Sequence, residues 1–149
     1  MEYRIRTCEE KDLTGLLELC GKHAAYEEAA YNPEGKDELL SAALFSTLPK
    51  LFCHVVETKG QLAGYFTYTF DFSTWDACEF LYLDCLYLEP EIRGYGIGEE
   101  IIRTLQDVAR KRNCVNLQWQ TPVFNQRAIK FYKRIGARGK KKCRFTLEP

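Results

Sequence analysis

The sequence predicts a single α/β domain, and three observations support this. Segments with the two-residue alternation of strands are interspersed with segments that have helical spacing. The run CEFLYLDCLYL at 78–88 is apolar on both faces, which is typical of a central strand that is covered on both sides. No linker, internal repeat or low-complexity segment divides the 149 residues, a length that suits one core.

The first part of the chain predicts one strand followed by two helices. Residues 3–7 alternate between apolar or hydroxyl side chains and arginines, which predicts a strand. Thr7 precedes Glu10 by three residues, which predicts a capping box. The apolar positions that predict the helices are Leu13, Leu16, Leu17, Cys20 and Ala24 for the first, and Leu39, Leu40, Ala43 and Leu44 for the second.

The remainder predicts further strands and two more helices. Strands at 52–58 and 61–70 are joined by a tight turn at Lys59-Gly60. After the strand at 78–88, the predicted elements are a helix with apolar positions Ile97, Ile101, Leu105, Val108 and Ala109, a strand at 115–120, a helix capped by Asn125 and stopped by Gly136, and one or two strands within 137–147.

Charge and composition narrow the class of protein. Lys plus Arg and Asp plus Glu both total 21, so the formal charge is zero and no nucleic-acid partner is indicated. No stretch approaches the roughly 18 apolar residues that span a bilayer, and no signal peptide is visible. We therefore expect no membrane association and a cytoplasmic location. Seven cysteines without a C-x-x-C pair, and only two histidines, indicate reduced thiols and no metal site.

The segment RGYGIGEE at 93–100 carries the clearest functional signal. A glycine-rich turn before a helix exposes backbone N–H groups at the positive end of the helix dipole, which makes an anion site. Arg93 adds a charge that pairs with phosphate, so a pyrophosphate is the expected ligand. The spacing matches neither the P-loop nor the dinucleotide-binding pattern. A helix start that merely needs flexible residues is the alternative. Glu99 and Glu100 would repel phosphate, so we expect them to point away.

The same segment resembles the acyl-CoA loop of the GCN5-related N-acetyltransferase (GNAT) family, whose Arg-x-x-Gly-x-Gly pattern falls here on Arg93, Gly96 and Gly98. NQRAIKFYKRIGA at 125–137 resembles the later helix of that family. The resemblance implies one GNAT domain over 1–149, with a mixed, mostly antiparallel sheet, a splayed central strand pair and flanking helices. It also implies acetyl-CoA as cosubstrate, without a metal, and commonly a homodimer that shares the tail strand.

Within the family, the chain is most similar to the diamine (spermidine/spermine) and thialysine N-acetyltransferase branch. The counterparts of the branch motifs are AAYEE at 24–28, YLDC at 82–85, RGYGIGEE at 93–100 and KFYKRIGA at 130–137. The sequence departs from the branch at Asp84, where Glu is expected, and at Cys85, where an acid is expected. The region of Trp75 is one residue longer. These departures fall where the substrate would lie.

The resemblance also assigns residues to the cofactor. Leu86 and Leu88 would pair their backbone with the pantetheine arm, and the Leu86 N–H would donate to the thioester oxygen. The side chain of a leucine on a buried strand is otherwise only core. Asn125 would approach the cofactor in addition to its default role as an N-cap. The expected cofactor-binding residues are Leu86, Tyr87, Leu88, Arg93, Gly94, Tyr95, Gly96, Ile97, Gly98, Glu99, Asn125 and Tyr132.

Tyr132 is the expected general acid. A phenol with a pKa of about 10 stays protonated at neutral pH and can donate to a thiolate whose conjugate acid has a pKa of about 8.5. An ordinary core tyrosine beside Phe131 is the alternative.

Asp84 is the expected acidic partner of the amine, because it interrupts an otherwise apolar strand. Strand alternation predicts that it shares a face with Tyr82 and Leu86, near the reacting carbon. There it would remove a proton from the amine through a water, or bind a cationic amine. A structural salt bridge with an Arg of the late helix is the competing interpretation.

The acceptor amine is expected near the end of the first helix. The predicted substrate-binding residues are Tyr26, Glu27, Glu28, Trp75 and Asp84. Together with Asp71, the acids among them would form an electronegative pocket for a multiply charged amine. Adjacent acids on a helix are also commonly a solvated face, and a surface aromatic residue in a loop is commonplace.

Cys85 raises a second mechanism, in which a thiolate takes the acetyl group before the amine does. No histidine lies within a few residues, and alternation predicts that Cys85 points away from Asp84. Direct transfer in a ternary complex is therefore expected. The basic segment at 138–144 is expected to be a solvated hairpin.

These features predict an acetyl-CoA-dependent N-acetyltransferase that acts on a primary amine of a small cationic substrate, either a polyamine or a lysine-like amino acid. Aminoglycosides and peptide amines are alternatives within the same enzyme class. From a different class, a GNAT-fold module could sense acyl-CoA without turnover. The presence of both Tyr132 and Asp84 argues against a sensor, since a sensor needs neither.

Overall fold

Five strands form one sheet that is flanked by four helices. The computed structural model describes residues 1–149. The strands are β1 (Arg4–Thr7), β2 (Phe52–Thr58), β3 (Gln61–Ser73), β4 (Cys78–Leu88) and β5 (Leu117–Trp119). The helices are α1 (Leu13–Tyr26), α2 (Lys36–Phe45), α3 (Ile97–Lys111) and α4 (Gln126–Arg134), with short 3-10 turns at Glu10–Asp12 and Pro90–Ile92. The predicted α/β class is confirmed.

The sheet is mixed and mostly antiparallel. Its strands lie in the order β1-β2-β3-β4-β5. The first three pairings are antiparallel, and β5 runs parallel to β4. Lys59 and Gly60 connect β2 to β3 with φ of 50° and 76°. Two consecutive residues with positive φ are what a two-residue hairpin turn of type I′ requires, so the predicted turn is confirmed.

Each face of the sheet carries its own hydrophobic core. Under α3, the buried helical side chains pack against Phe66 and Leu83 of the sheet, and they recur at the spacing of one helix face: Ile97, Ile101, Ile102, Leu105 and Ala109. On the opposite face, Leu16 and Leu19 of α1 pack against Tyr65. Burying each such leucine or isoleucine contributes roughly 1.5–3 kcal/mol relative to leaving it exposed. The two cores fix α1 and α3 on opposite sides of β4.

The strands β4 and β5 separate after a short stretch of pairing. They are paired over three positions only, from Leu81 opposite Leu117 to Leu83 opposite Trp119. β4 then continues to Leu88 with β3 on one side and no strand on the other. The splayed strand pair expected from the family resemblance is thus present, and it leaves the end of β4 with a free edge.

A bulge at Asp84 interrupts the pairing of β3 with β4. The residues on either side of Asp84 pair with consecutive residues of β3, so Asp84 itself has no partner there. The extra residue changes the alternation of β4. Leu83 and Leu86 therefore belong to the same core, the one beneath α3, whereas Cys85 and Tyr87 belong to the core beneath α1.

The bulge corrects two predictions that were based on strict alternation. Asp84 and Leu86 were expected on one face, but Leu86 packs into the α3 core while Asp84 is exposed. Cys85 was expected to point away from Asp84, but its Sγ lies 3.7 Å from Asp84 Oδ2. Both expectations were wrong because a bulge puts two residues of one strand opposite a single residue of its partner.

The N-terminal cap also differs from the prediction. The predicted capping box between Thr7 and Glu10 is replaced by one between Glu9 and Asp12. In it, the Glu9 N–H donates a hydrogen bond to Asp12 Oδ2 at 2.8 Å. Asp12 is buried and also accepts two hydrogen bonds from Arg6, at 2.6 and 2.9 Å. That ion pair lowers the pKa of the Asp12 carboxyl. Asp12 is the capping side chain because its ion pair with the partly buried Arg6 holds it in place.

Two further predictions about the ends of elements were wrong. Residues 137–149 contain neither strand nor helix, so the tail strands and the hairpin at 138–144 are absent. β3 extends to Ser73, because it pairs with β4 as far as Cys78. No helix is long and apolar enough to cross a bilayer.

We expect the substitution Gly64→Ala to destabilise the protein. A Cβ at this position of β3 would lie 2.7 Å from Leu88 Cδ2 and 2.8 Å from the carbonyl oxygen of Tyr87. Because the second atom belongs to the backbone of β4, the strand pair must shift, at a cost of about 1–3 kcal/mol. Urea unfolding monitored by circular dichroism measures the loss.

Gly139→Ala is the matched control, because no atom lies within 4 Å of its Cβ position. It should change the free energy of unfolding by less than about 0.5 kcal/mol. Equal stability of the two variants would show that β3 and β4 are not as close as described.

Candidate active site

The gap between β4 and β5 opens into the main cleft of the protein, with a volume of about 570 Å³. Its floor is β4, and its walls are the end of α1, the glycine turn at 93–98, the start of α3 and one face of α4. The cleft therefore collects residues from four distant parts of the sequence.

The glycine turn forms an open cradle at the N-terminus of α3. Gly94 and Gly96 have φ of 86° and 82°, a conformation that disfavours any other residue. No atom lies within 4 Å of either Cβ position, so the backbone here is open to a ligand. The first N–H groups of α3 have no partner within the helix. Donors in this arrangement, beside Arg93, suit a pyrophosphate such as that of CoA.

The acids that follow the turn are paired away from the cradle. Glu99 accepts a hydrogen bond from Arg103 at 2.6 Å, one turn further along α3. Glu100 accepts one from the hydroxyl of Tyr3 in the N-terminal segment. The expectation that these carboxylates do not oppose an anion is consistent with this pairing, although Glu99 still borders the cleft.

The free edge of β4 presents backbone donors to the cleft. Glu89 N–H donates to Ala63 O of β3 at 2.8 Å. Backbone groups of alternate residues face the same neighbour in an antiparallel pair, so the N–H groups of Leu86 and Leu88 face away from β3, into the gap. Arg93 Nε donates to Leu88 O at 2.7 Å, which holds the glycine turn against the end of the strand.

Tyr132 lies in the opposite wall, on α4. Its ring centroid is 5.1 Å from that of Trp119, the last residue of β5. Burial raises the pKa of Tyr132 to about 12, and the charge of Glu27 contributes to the rise. The phenol therefore stays protonated at neutral pH, and the acid on α1 is near enough to act on it across the cleft.

Asn125 caps α4 and also contacts α1. Its Oδ1 accepts from Ala128 N at 3.3 Å, as the sequence predicted for an N-cap. The same oxygen accepts a long hydrogen bond of 3.4 Å from the hydroxyl of Tyr26. The two walls of the cleft therefore touch above the floor at this point.

Asp84 and Cys85 form part of the floor at the bulge. Asp84 takes part in no salt bridge, which contradicts the competing interpretation, a structural salt bridge with an Arg of the late helix. Burial raises the pKa of the Cys85 thiol to about 12, and the charge of Asp84 adds to the rise. Asp84 is thus available to a cationic ligand, whereas Cys85 is a poor nucleophile.

The end of α1 brings two of the predicted acceptor residues to the cleft. Tyr26 and Glu27 line it. Glu28 does not, because it follows the helix C-terminus with a positive φ of 57° and is exposed. The side chain of Trp75 is 99% exposed at the tip of the β3–β4 hairpin, outside the cleft. Asp71, in the same hairpin, is also outside.

Among the predicted cofactor residues, Tyr95 is the exception. It is exposed and does not line the cleft. The others border it: Leu86, Tyr87, Leu88, Arg93, Gly94, Gly96, Ile97, Gly98, Glu99, Asn125 and Tyr132. The central side chain of the turn thus points outward, between two glycines that face the cleft.

Several residues of the cleft were not predicted. They are His23, Trp119, Gln120, Thr121, Arg127, Ala128, Lys130, Phe131 and Arg134. The members from α4 recur at spacings of three and four, so helical periodicity carried a signal for them. His23 gave none, since a single histidine in an apolar stripe is usually a core residue.

A family model described as the acetyltransferase (GNAT) family matches residues 16–137. This chain belongs to the GNAT family. A thialysine N-ε-acetyltransferase of Bos taurus is 34% identical over 141 residues, which cover 89% of this chain and 82% of that protein. A spermidine/spermine N(1)-acetyltransferase-like protein of Homo sapiens is 28% identical, over 91% of this chain and 20% of that protein. The predicted family is confirmed, and the chain is an N-acetyltransferase of a family that uses acetyl-CoA.

Solved structures agree with the GNAT fold. An integron cassette protein from the mobile metagenome of V. cholerae has a TM-score of 0.80 at 25% identity, over 100% of this chain and 94% of that one. An aminoglycoside N-acetyltransferase in complex with CoA has a TM-score of 0.80 at 15% identity, over 99% and 95%. The second likeness concerns the fold alone.

We expect Cys85 of this GNAT protein to react slowly with iodoacetamide at pH 8, although it lines the cleft. Its pKa of about 12 leaves little thiolate, which is the reactive form. Exposed Cys143 is the internal control and should be alkylated roughly tenfold faster or more. Peptide mapping by mass spectrometry over time measures both. Equal alkylation rates for Cys85 and Cys143 would support the mechanism in which Cys85 takes the acetyl group first.

Proposed function

We propose that this GNAT enzyme transfers the acetyl group of acetyl-CoA directly to a primary amine of a small cationic substrate, a polyamine or a lysine-like amino acid such as thialysine. One observation carries the proposal. An anion cradle and a protonated phenol open into the same cleft as two carboxylates, those of Glu27 and Asp84. The cradle and the phenol suit an anionic thioester cosubstrate, and the two carboxylates suit a cationic acceptor.

The cosubstrate would be held by backbone groups more than by side chains. The glycine turn and Arg93 would receive the pyrophosphate. The N–H of Leu88 would pair with the pantetheine arm, which would extend the sheet as an added strand. The Leu86 N–H would donate to the carbonyl oxygen of the thioester, where negative charge develops as the amine attacks. Acetyl-CoA supplies the activated acyl group in this arrangement.

Tyr132 would act as the general acid. Its phenol would donate to the sulfur as the bond between carbon and sulfur breaks. A pKa of about 12 makes the phenol a weaker acid than free tyrosine. Burial also disfavours a thiolate in the same cleft, which raises the pKa of the leaving thiol and so favours its protonation.

Asp84 would remove the proton of the attacking amine. It lies at the bulge, one residue beyond the last pair of β4 with β5, and is exposed to the cleft. Aspartate is shorter than glutamate by one methylene, which favours proton removal through a water over direct contact. A direct electrostatic bond to a cationic amine is the alternative role of the same carboxylate.

Direct transfer is favoured over an acetyl-cysteine. The raised pKa of Cys85 and the charge of neighbouring Asp84 both oppose formation of a thiolate. No step in the direct route requires that thiol.

We also propose a cytoplasmic homodimer in which the tail contributes to the interface. The side chains of Phe145 and Leu147 are 91% and 96% exposed in a tail without helix or strand, and β5 is an edge strand. Apolar side chains in this setting are typical of a surface that a partner covers. Light scattering at micromolar concentration tests the idea, and a monomer mass would overturn it.

A panel of amines, each assayed with acetyl-CoA, tests whether the protein is an active acetyltransferase. We expect free thiol from thialysine, spermidine or both, measured with a chromogenic disulfide after quenching. Aminoglycosides and amino-terminal peptides belong in the same panel, since they are the competing acceptors. Binding of acetyl-CoA without thiol release from any amine would favour the alternative, a sensor of acyl-CoA.

We expect Tyr132→Phe to lower kcat by roughly 10²–10⁴-fold, the range for loss of a general acid. The substitution keeps the ring beside Trp119, so the affinity for CoA should change by less than about threefold. Steady-state kinetics and calorimetric titration of CoA give the two numbers. An equal loss in kcat and in CoA affinity would make the hydroxyl structural.

A further inference from the structure

A buried histidine at the acceptor end of the cleft has no role in the proposed chemistry. His23 lies on α1 and is only 8% exposed, yet it lines the cleft. Both of its ring nitrogens have partners. Nδ1 lies 2.8 Å from the hydroxyl of Tyr65, and Nε2 lies 3.2 Å from Glu27 Oε1. The imidazole therefore connects the core of the protein to a carboxylate of the substrate site.

The partners determine where the imidazole proton lies. A hydrogen on Nε2 of His23 suits the Glu27 carboxylate, whose Oε1 lies at the ion-pair distance of 3.2 Å, because a lone pair there would oppose the negative charge. In the tautomer that carries only this hydrogen, Nδ1 accepts a hydrogen bond from the hydroxyl of Tyr65. Burial raises the pKa of Tyr65, which keeps its hydroxyl protonated for this role. In that tautomer, Tyr65 donates to His23, and the Nε2–H of His23 is directed to Glu27.

The imidazole is also fixed from the side. Its ring stacks on Tyr87 of β4 at a centroid distance of 5.4 Å. The guanidinium of Arg93 lies 5.5 Å from the centroid of the Tyr87 ring and 4.6 Å from that of the Tyr26 ring. The ring of His23 therefore cannot turn without disturbing residues that border the glycine turn.

Glu27 needs such support in order to face the cleft. It is the C-terminal cap of α1, where the negative end of the helix dipole disfavours a carboxylate. Its side chain is one-third exposed, so water competes for it. Its charge nevertheless acts on Tyr132 on the opposite wall. His23 is the only residue at ion-pair distance from the Glu27 carboxylate.

We propose that His23 is a positioning residue for the acceptor amine. Through its Nε2–H it holds the Glu27 carboxylate over the cleft, and Tyr65 fixes the tautomer that makes this possible. The free carboxylate oxygen then receives an ammonium group of the substrate. This inference rests on the proposed function, because it assumes a cationic acceptor at that end of the cleft.

The test is calorimetric titration of thialysine and of spermidine into the CoA-saturated protein, compared among three forms. His23→Leu fills the space without a donor, and we expect the amine dissociation constant to rise about tenfold, as when a hydrogen bond to a charged group is lost. His23→Gln keeps a side-chain N–H in reach of Glu27 and should remain within about threefold of the wild type. CoA affinity should be unchanged in both variants.

A double-mutant cycle separates positioning from simple packing. If His23 acts through Glu27, adding His23→Leu to Glu27→Gln should weaken amine binding no further than Glu27→Gln alone. Additive losses would overturn the proposal, as would equal amine affinities for the Gln and Leu variants at position 23. A wild-type protein that binds neither amine would overturn it as well.

Imidazole ¹⁵N NMR provides a readout that needs no substrate. The chain has two histidines, and the spectrum of His23→Gln assigns them. We expect the Nε2–H tautomer at His23 in the wild type, and an Nδ1–H tautomer contradicts the inference. Because the binding and NMR measurements do not involve turnover, a failure to release thiol in the amine panel would reject the proposed function separately.

Discussion

The free edge of β4 is the constraint on which the rest of the site depends. Before the bulge, Leu81 N–H donates to Asn116 O on the β5 side at 3.1 Å. Continued alternation would turn the Leu86 N–H toward β3. One additional residue, Asp84, reverses the alternation and directs the later donors into the gap. The pairing of β4 with β5 also ends at this residue. The one bulge at Asp84 therefore coincides with the opening of the sheet and directs the N–H groups of Leu86 and Leu88 into the gap.

The gap stays open because its two sides are packed independently. α3 and α4 lie over one core, and α1 lies over the other. At the glycine turn, a Cβ on Gly98 would lie 3.2 Å from the ring of Phe131. This close approach brings α4 against the start of α3 and places Tyr132 opposite the floor. Close-packed cores resist small displacements, so the cleft is a fixed feature of the fold.

The cleft carries charges of both signs although the chain is neutral. Arg93 and the N-terminus of α3 border the cleft, and so do the carboxylates of Glu27 and Asp84. Glu99, which follows the glycine turn, is bonded to Arg103. An anionic cosubstrate and a cationic acceptor both find opposite charges in this cavity, and the phenol of Tyr132 lies in its α4 wall.

The sequence by itself determined the helices and strands before residue 137 and the glycine turn, because helical spacing, strand alternation and positive-φ glycines are local properties of the chain. It correctly predicted the buried strand at 78–88, the turn at 93–98 and the cap at Asn125. The tertiary structure alone decided the bulge at Asp84, the exclusion of Trp75 and Glu28 from the cleft, and the link from His23 to Glu27. These features depend on the register between paired strands and on the distances between helices. The spacing of residues along the chain does not encode either of them.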